Sequence, residues 1–364
     1  MRIFPCALCG HALHFENVRC LVCNSKLAFV PDLLAIEAIQ PETNGLWSVI
    51  DIRGGEPSAN RYRLCKNGTV HGVCNFAVPA QDRNPYCVAC RLTRVLPDLN
   101  IAGNRERWHA VEVAKRRLFY TLAHLGLISP APPPAHRERL RFEFLEDHSE
   151  RPVLTGHTNG LITINIAEAD DEVRARRRTH LHEPYRTLLG HFRHESGHYY
   201  WDCLIRDAGR LDSYRQVFGD ESVDYRQSLK RHYDTAGRAT DWEARHVSAY
   251  AKCHPWEDWA ETWAHYLHMV DLLDTAASHD AFFAASADCP APPNSRASPP
   301  GRPPDGMEFR LLVARWVPLT LLVNSLNRSL GQADAYPFAL SRGALDKLQY
   351  IHEIVSQVGS NRRE

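Results

Sequence analysis

The pentapeptide His194-Glu195-Ser196-Gly197-His198 sets two imidazoles at i and i+4 with a carboxylate beside the first. In a helix that spacing brings both histidines to one face, where they can hold a single metal ion. Glu195 then lies where it can take a proton from a metal-activated water. In a chain with 20 histidines the pentapeptide alone does not decide the matter. A zinc held by two histidines needs a third protein ligand and one open position. The metzincin extension is closed, because Trp201 and Leu204 stand where its glycine and third histidine belong. The other common route takes a glutamate from a second helix. Glu257 and Glu261, at i and i+4 in a segment predicted to turn helical at Pro255, share one face. One can bind the metal while the other accepts the free N–H of a ligating histidine.

The cysteines imply metal of another kind. Of 11, eight precede residue 91. Cys6, Cys9, Cys20 and Cys23 form two C-x-x-C knuckles at zinc-ribbon spacing, enclosing one tetrahedral ion. Cys87 and Cys90 make a third knuckle, with Cys65 and Cys74 as its partners in a second four-cysteine zinc site. Such sites supply folding free energy to a region too short for a good core of its own. A disulfide framework belongs to exported chains, and MRIFPCALCG lacks the apolar stretch of a signal peptide. No strand–helix context of the thioredoxin kind surrounds a knuckle. Cys203, Cys253 and Cys289 are read as packing residues.

The elements that must position these groups follow from patterning. Residues 1–100 are turn-rich, with Gly-Gly at 54–55 and Asn-Gly at 67–68, and predict short hairpins. Trp108, Val111, Ala114, Leu118, Leu122 and Leu125 form a stripe of helical period from about Asn104. Pro130–Pro134 ends it as a stiff connector. Residues 140–145 and 161–166 alternate as strands, and a strand ahead of the metal-binding helix could pair with an extended substrate. That helix is predicted from Pro184 to about Ile205, with others near 220–233 and 255–275. Residues 278–306, rich in Ala, Ser and Pro, read as a flexible insertion. Closing helices are expected at 309–326 and 345–358. Around the site, His191 lies near the ligand face, although a fourth protein ligand would close the metal. His157 is expected in a turn, and His265 and His268 as packing or supporting groups. Asp258 is expected on the exposed side, and Trp201, Trp256, Trp259 and Trp263 in the core.

The balance of 43 basic and 43 acidic residues gives zero net charge, and no global field draws the chain to nucleic acid or an acidic membrane. Lys115-Arg116-Arg117 and Arg176-Arg177-Arg178 lie in charge-mixed helical contexts and read as a solvated helix face or local ion pairs. No run of 18 apolar residues occurs, and the protein is expected to be soluble and cytoplasmic, with no membrane or nucleic-acid partner.

Tyr250, Glu257 seven residues on, and Trp259-Ala260-Glu261 resemble gluzincins of the lethal-factor type. That resemblance implies Glu257 as third ligand, Glu261 behind a ligating histidine, and Tyr250 assisting at the substrate carbonyl. Over nearly the whole chain the sequence also resembles a bacterial family of zinc-binding metallopeptidases with an N-terminal zinc ribbon. The motifs that carry this include FEN (15–17), CNF (74–76), TGHTNGLITIN (155–165), EPYRTLLGHFRHESGHYYWD (183–202), HPWEDWAETWAHYLH (254–268) and NSLNRSLGQADAYPF (324–338). The family pattern has Trp where Phe76 stands and Met where Leu330 stands.

The expected fold class is α+β. A small N-terminal β-rich zinc-ribbon region (1–100) precedes a mainly helical zincin-like metallopeptidase domain with a small sheet (101–364). The expected cofactors are one catalytic and two structural Zn²⁺ ions. In the mechanism implied, His194, His198 and Glu257 hold the catalytic zinc and Glu195 is the general base of peptide-bond hydrolysis. Tyr250 or another donor stabilises the oxyanion. The ribbon would recruit a peptide or protein substrate or a partner. The alternatives are a proteolytically silent zinc-binding interaction module and, disfavoured by neutral charge, a ribbon-based nucleic-acid-binding regulator.

Overall fold

The structure, a computed structural model, describes residues 1–50, 60–131, 140–147, 153–174, 187–234, 241–286, 308–336 and 339–361. The chain opens with a small antiparallel hairpin, β1 (Phe4–Pro5) on β2 (Ala12–Leu13), that carries the first knuckle. A five-stranded antiparallel meander follows: β3 (Lys26–Val30), β4 (Ala35–Pro41), β5 (Trp47–Val49), β6 (Tyr62–Leu64) and β7 (Ala77–Pro79), neighbours in that order. The side-chain period of two gives the meander two apolar faces. Ala28, Val30, Ile39, Tyr62 and Ala77 pack together on one. Phe29 on the other meets Phe76 at a ring-centroid distance of 4.3 Å and Phe15 at 5.0 Å.

Asn67-Gly68, expected as a hairpin turn, instead begins a short helix, α1 (Lys66–His71). The reason is local: Cys65 and Cys74 must return to one place, and a Cβ on Gly68 would lie 2.2 Å from the Cys74 carbonyl oxygen. The Gly-Gly pair at 54–55 falls outside the described residues.

A second sheet has the order β10-β11-β9-β8, formed by β8 (Thr93–Val95), β9 (Arg141–Leu145), β10 (Gly156–Thr158) and β11 (Leu161–Asn165). β8, β9 and β11 run parallel, and β10 turns back on β11 through Asn159 (φ 50°) and Gly160 (φ 84°). Two successive positive φ values suit the right-handed twist of a two-residue hairpin. The long helix α2 (Asn104–His124) buries the predicted stripe of Trp108, Val111, Ala114, Leu118 and Leu122. Because β8 precedes residue 100 and pairs with β9, the sheet and core run across the division expected at 100–101.

Among the described residues that follow, the helices are α3 (Leu188–Trp201), α4 (Leu211–Phe218), α5 (Tyr225–Asp234), α6 (Pro255–Ser286), α7 (Phe309–Ser329) and α8 (Arg342–Asn361). Thr187 caps α3, its hydroxyl accepting from Gly190 N at 2.9 Å. The start expected at Pro184 lies outside the described residues. α3 passes into a π turn at Asp202–Arg206, so regular helix ends sooner than predicted. α6 runs through Ser286 and enters the segment 278–306 assigned to the insertion. No proline occurs between Pro255 and Pro290, and Ala281, Ala284 and Ala285 favour helix. The rest of that segment, and Arg176–Arg178, are outside the described residues.

α7 alone among the described helices is long and apolar enough, by length and composition, to cross a membrane. It buries Phe309, Leu312, Trp316 and Thr320 and leaves Leu321, Leu322 and Leu326 exposed.

Candidate metal centre and cysteine clusters

Gly197 sets the geometry of the centre. A Cβ there would stand 2.9 Å from the Cα of Ala260 and 3.2 Å from Trp263, so only glycine lets α3 lie this close to α6. The Trp259 indole N–H donates to the Gly197 carbonyl at 2.9 Å and fixes the register of the two helices. That register puts the outward faces of His194 and His198 against the first two turns of α6. His194 Nε2 is 3.0 Å from Glu257 Oε2, and His198 Nε2 is 3.5 Å from the same oxygen. All three donor atoms fall within 4.8 Å of one another. Ligands about 2.05 Å from a tetrahedral zinc sit about 3.3 Å apart, and the two observed separations bracket that figure.

The two glutamates are used differently. Glu261 Oε1 lies 2.7 Å from His194 Nδ1, and Oε2 accepts from the Ser248 hydroxyl at 2.7 Å. Glu257 Oε1 accepts from the Tyr225 hydroxyl at 2.6 Å, whereas Oε2 is buried with no hydrogen-bond partner among the described residues. An orphaned carboxylate oxygen is costly unless something positive meets it. Charge points the same way. Burial alone would lower the His194 pKa, but Glu257 and Glu261 outweigh it and hold the value well above the usual one. Burial alone would raise the Glu257 pKa, yet His198 and His194 hold it well below the carboxylate range. The donor set and its charge therefore fit a divalent cation.

Around this trio, Glu195 is buried on α3, and burial, then the Glu257 charge, with a smaller contribution from Glu195, raise the Tyr225 phenol well above its ordinary range. Tyr225 carried no assignment from sequence. It stands on α5, and only tertiary packing brings it to Glu257. The Tyr250 ring centroid is 6.0 Å from that of His194, and burial followed by the Glu257 charge raises its phenol too. Trp256, expected in the core, is half-buried and lies over His198, ring centroids 3.8 Å apart. Trp201, Trp259 and Trp263 are buried as expected.

The other histidines stay outside the trio. His191 Nδ1 is 3.5 Å from Glu168 Oε2. His157 Nε2 accepts from Gly160 N at 2.8 Å within the β10–β11 turn, and burial, then His198, lower its pKa to about 4. His265 Nδ1 pairs with the Tyr336 hydroxyl at 2.6 Å, and His268 Nδ1 contacts Arg193. Asp258, expected to be exposed, is buried. Lys347 of α8 reaches across to it at 2.5 Å, a partner supplied from the far end of the chain.

The cysteines converge as two groups, Cys6/Cys9/Cys20/Cys23 and Cys65/Cys74/Cys87/Cys90, with the four sulfurs in each within 4.8 Å of one another. Sulfur–sulfur distances of 3.7 Å (Cys6–Cys23), 3.6 Å (Cys9–Cys20) and 3.8 Å (Cys74–Cys87) are far beyond a disulfide. They match the roughly 3.8 Å expected for thiolates about 2.3 Å from a tetrahedral zinc. Backbone N–H groups of Phe76, Cys87 and Cys90 point at the sulfurs of Cys74, Cys65 and Cys87. The second cluster is built against α2: Arg116 donates to the Val73 carbonyl at 2.5 Å, and Cys90 Sγ is 3.9 Å from Glu112 Oε2. Cys203 and Cys253 stand apart from both groups, and Cys289 is outside the described residues.

A β-rich cysteine region joined to a helical part with a His/His/Glu cluster is an α+β protein with three side-chain groups that could each hold a metal ion. The family model described as "Putative zinc-binding metallo-peptidase" matches residues 104–354, and a zinc-ribbon domain model matches residues 3–101. The chain belongs to that zinc-binding metallopeptidase family. Uncharacterized proteins of Mycobacterium tuberculosis (strain H37Rv) and Mycobacterium bovis are each 40% identical to it over 363 residues, spanning 98% of this chain and 96% of their own. No solved structure matches it.

Proposed function

We propose that the protein is a zinc-dependent peptidase whose catalytic ion is held by His194, His198 and Glu257. The observation that carries this reading is the convergence of the two Nε2 atoms on the otherwise unpartnered Oε2 of Glu257. Glu261 is the less suitable ligand, since both its oxygens are already engaged by His194 Nδ1 and Ser248. When bound, zinc supplies Lewis acidity that activates water near neutral pH and polarises a peptide carbonyl.

The chain's own groups do the rest. Glu195, one residue from His194 and on the same helix, accepts the proton of the attacking water and passes it toward the leaving amine. Tyr250, its ring centroid 6.0 Å from that of His194, donates to the carbonyl oxygen as negative charge develops there. Glu261 fixes the ring of His194 through Nδ1. The two four-cysteine clusters hold structural zinc, and the first of them, with Leu21 and Val22 exposed on its knuckle, suits recruitment of a protein substrate or partner.

Incubation of the zinc-loaded protein with a diverse peptide mixture, analysed by mass spectrometry, tests the reading. Cleavage by wild type and not by Glu195→Gln is expected. Identical spectra from the two proteins would assign the fold to a silent interaction module.

A further inference from the structure

The region over the metal centre contains one group that neither the motif nor the family description assigns. Tyr225 begins α5, and its hydroxyl donates to Glu257 Oε1 at 2.6 Å. Its ring lies edge-on to Trp256 (5.7 Å between centroids) and to His254 (5.2 Å). His254 is itself anchored: its Nδ1 accepts from Trp256 N at 3.0 Å, and its Nε2 lies 3.1 Å from the Val223 carbonyl. The phenol is thus held by the start of α6 and by the loop before α5, with its oxygen aimed at one oxygen of the carboxylate.

A glutamate side chain can turn about its terminal bond, and either oxygen, or both, could face the imidazoles. With Oε1 occupied by Tyr225, Oε2 alone is left toward His194 and His198. We propose that Tyr225 is a positioning residue for the metal centre, holding Glu257 so that it would offer one oxygen, Oε2, to an ion between His194 and His198. The inference rests on the zinc-site reading above. It adds a fixed donor on the carboxylate, complementary to the one that Glu261 provides on the histidine. Donors behind a metal ligand characteristically contribute 10- to 100-fold in affinity.

The experiment is a competitive zinc titration of full-length wild type, Tyr225→Phe and Tyr214→Phe, scored on the site that His194→Ala abolishes. Tyr214→Phe is the control: its hydroxyl donates to the Pro255 carbonyl at 2.7 Å and touches α6 without touching Glu257. Expected for Tyr225→Phe is a 10- to 100-fold weaker third zinc. The two cysteine-held zincs and the apo-protein melting temperature should stay as in wild type, and Tyr214→Phe should keep wild-type affinity. Equal affinity in Tyr225→Phe and wild type overturns the proposal while leaving the zinc site standing. Equal weakening in both phenylalanine variants overturns it too, by assigning Tyr225 to general support of α6, as does loss of a cooperative melt in Tyr225→Phe. A wild type that binds no third zinc overturns the site reading and this inference together.

Discussion

Glu261 Oε1 lies 2.7 Å from Nδ1 of His194, on the side of the ring opposite the Nε2 that faces Glu257. One imidazole therefore stands between two carboxylates of the same helix, one turn apart. This contact selects the Nδ1–H tautomer and leaves the Nε2 lone pair for a metal. Glu261→Ala should weaken zinc at the His/His/Glu site 10- to 100-fold without changing the cysteine-held zinc. A chelator competition reads this directly, and unchanged affinity would remove Glu261 from the account.

Gly197 makes the same geometry possible from the backbone side. In Gly197→Ala the new methyl meets the backbone of Ala260 at 2.9 Å, where no flexible side chain can yield. The helices must part, at a cost of about 1–3 kcal/mol. Denaturant melts of the apo-protein should show that loss, and zinc affinity should fall with it as Glu257 withdraws. A variant as stable as wild type would mean the α3–α6 contact is looser than described.

The second cysteine cluster should behave as part of the main core. Its neighbours are Glu112 and Arg116 of α2, and on that helix Phe15 and Phe29 pack with Tyr120 and Phe76 with Phe119. Cys74→Ser is expected to lower the single Tm of the whole chain by about 10 °C or more. A separate low-temperature transition, with the remainder melting as in wild type, would contradict this.

A pH effect follows from His265. Burial lowers its pKa from 6.5 to about 4, against a smaller opposing pull from Glu261. The unfolded chain takes up a proton near pH 6.5 that the native site refuses until about pH 4. The stabilisation is fully present above pH 6.5 and is lost as pH falls toward 4, by on the order of 3 kcal/mol. Chemical denaturation from pH 7.5 to 4.5 should therefore give a shallower slope for His265→Gln than for wild type. Parallel profiles would show that His265 takes its proton normally in the native state.

What the sequence disclosed and what it hid divide along physical lines. The alignment of His194 with His198, of Glu257 with Glu261, and the Trp108–Leu122 stripe are consequences of helical period, readable from spacing alone. The cysteine knuckles are equally local. Asp258 could not be read in this way, because its burial depends on Lys347, which comes from the last helix. Tyr225 was hidden for the same reason, since its contact with Glu257 is made across two helices by packing. β8 is not legible as a sheet strand from local pattern, because its partner, β9, lies beyond the whole of α2. α6 runs past the end predicted near 275 because its alanines favour helix up to the Pro-rich composition that follows.

If His194, His198 and Glu257 hold a metal ion in addition to the two cysteine clusters, elemental analysis of wild type, His194→Ala/His198→Ala and Glu195→Gln will show it. About three zinc ions per chain are expected in wild type, about two in the double variant, and about three in Glu195→Gln. A double variant that keeps the wild-type content would contradict it and leave the His-Glu-x-x-His segment without a metal to serve.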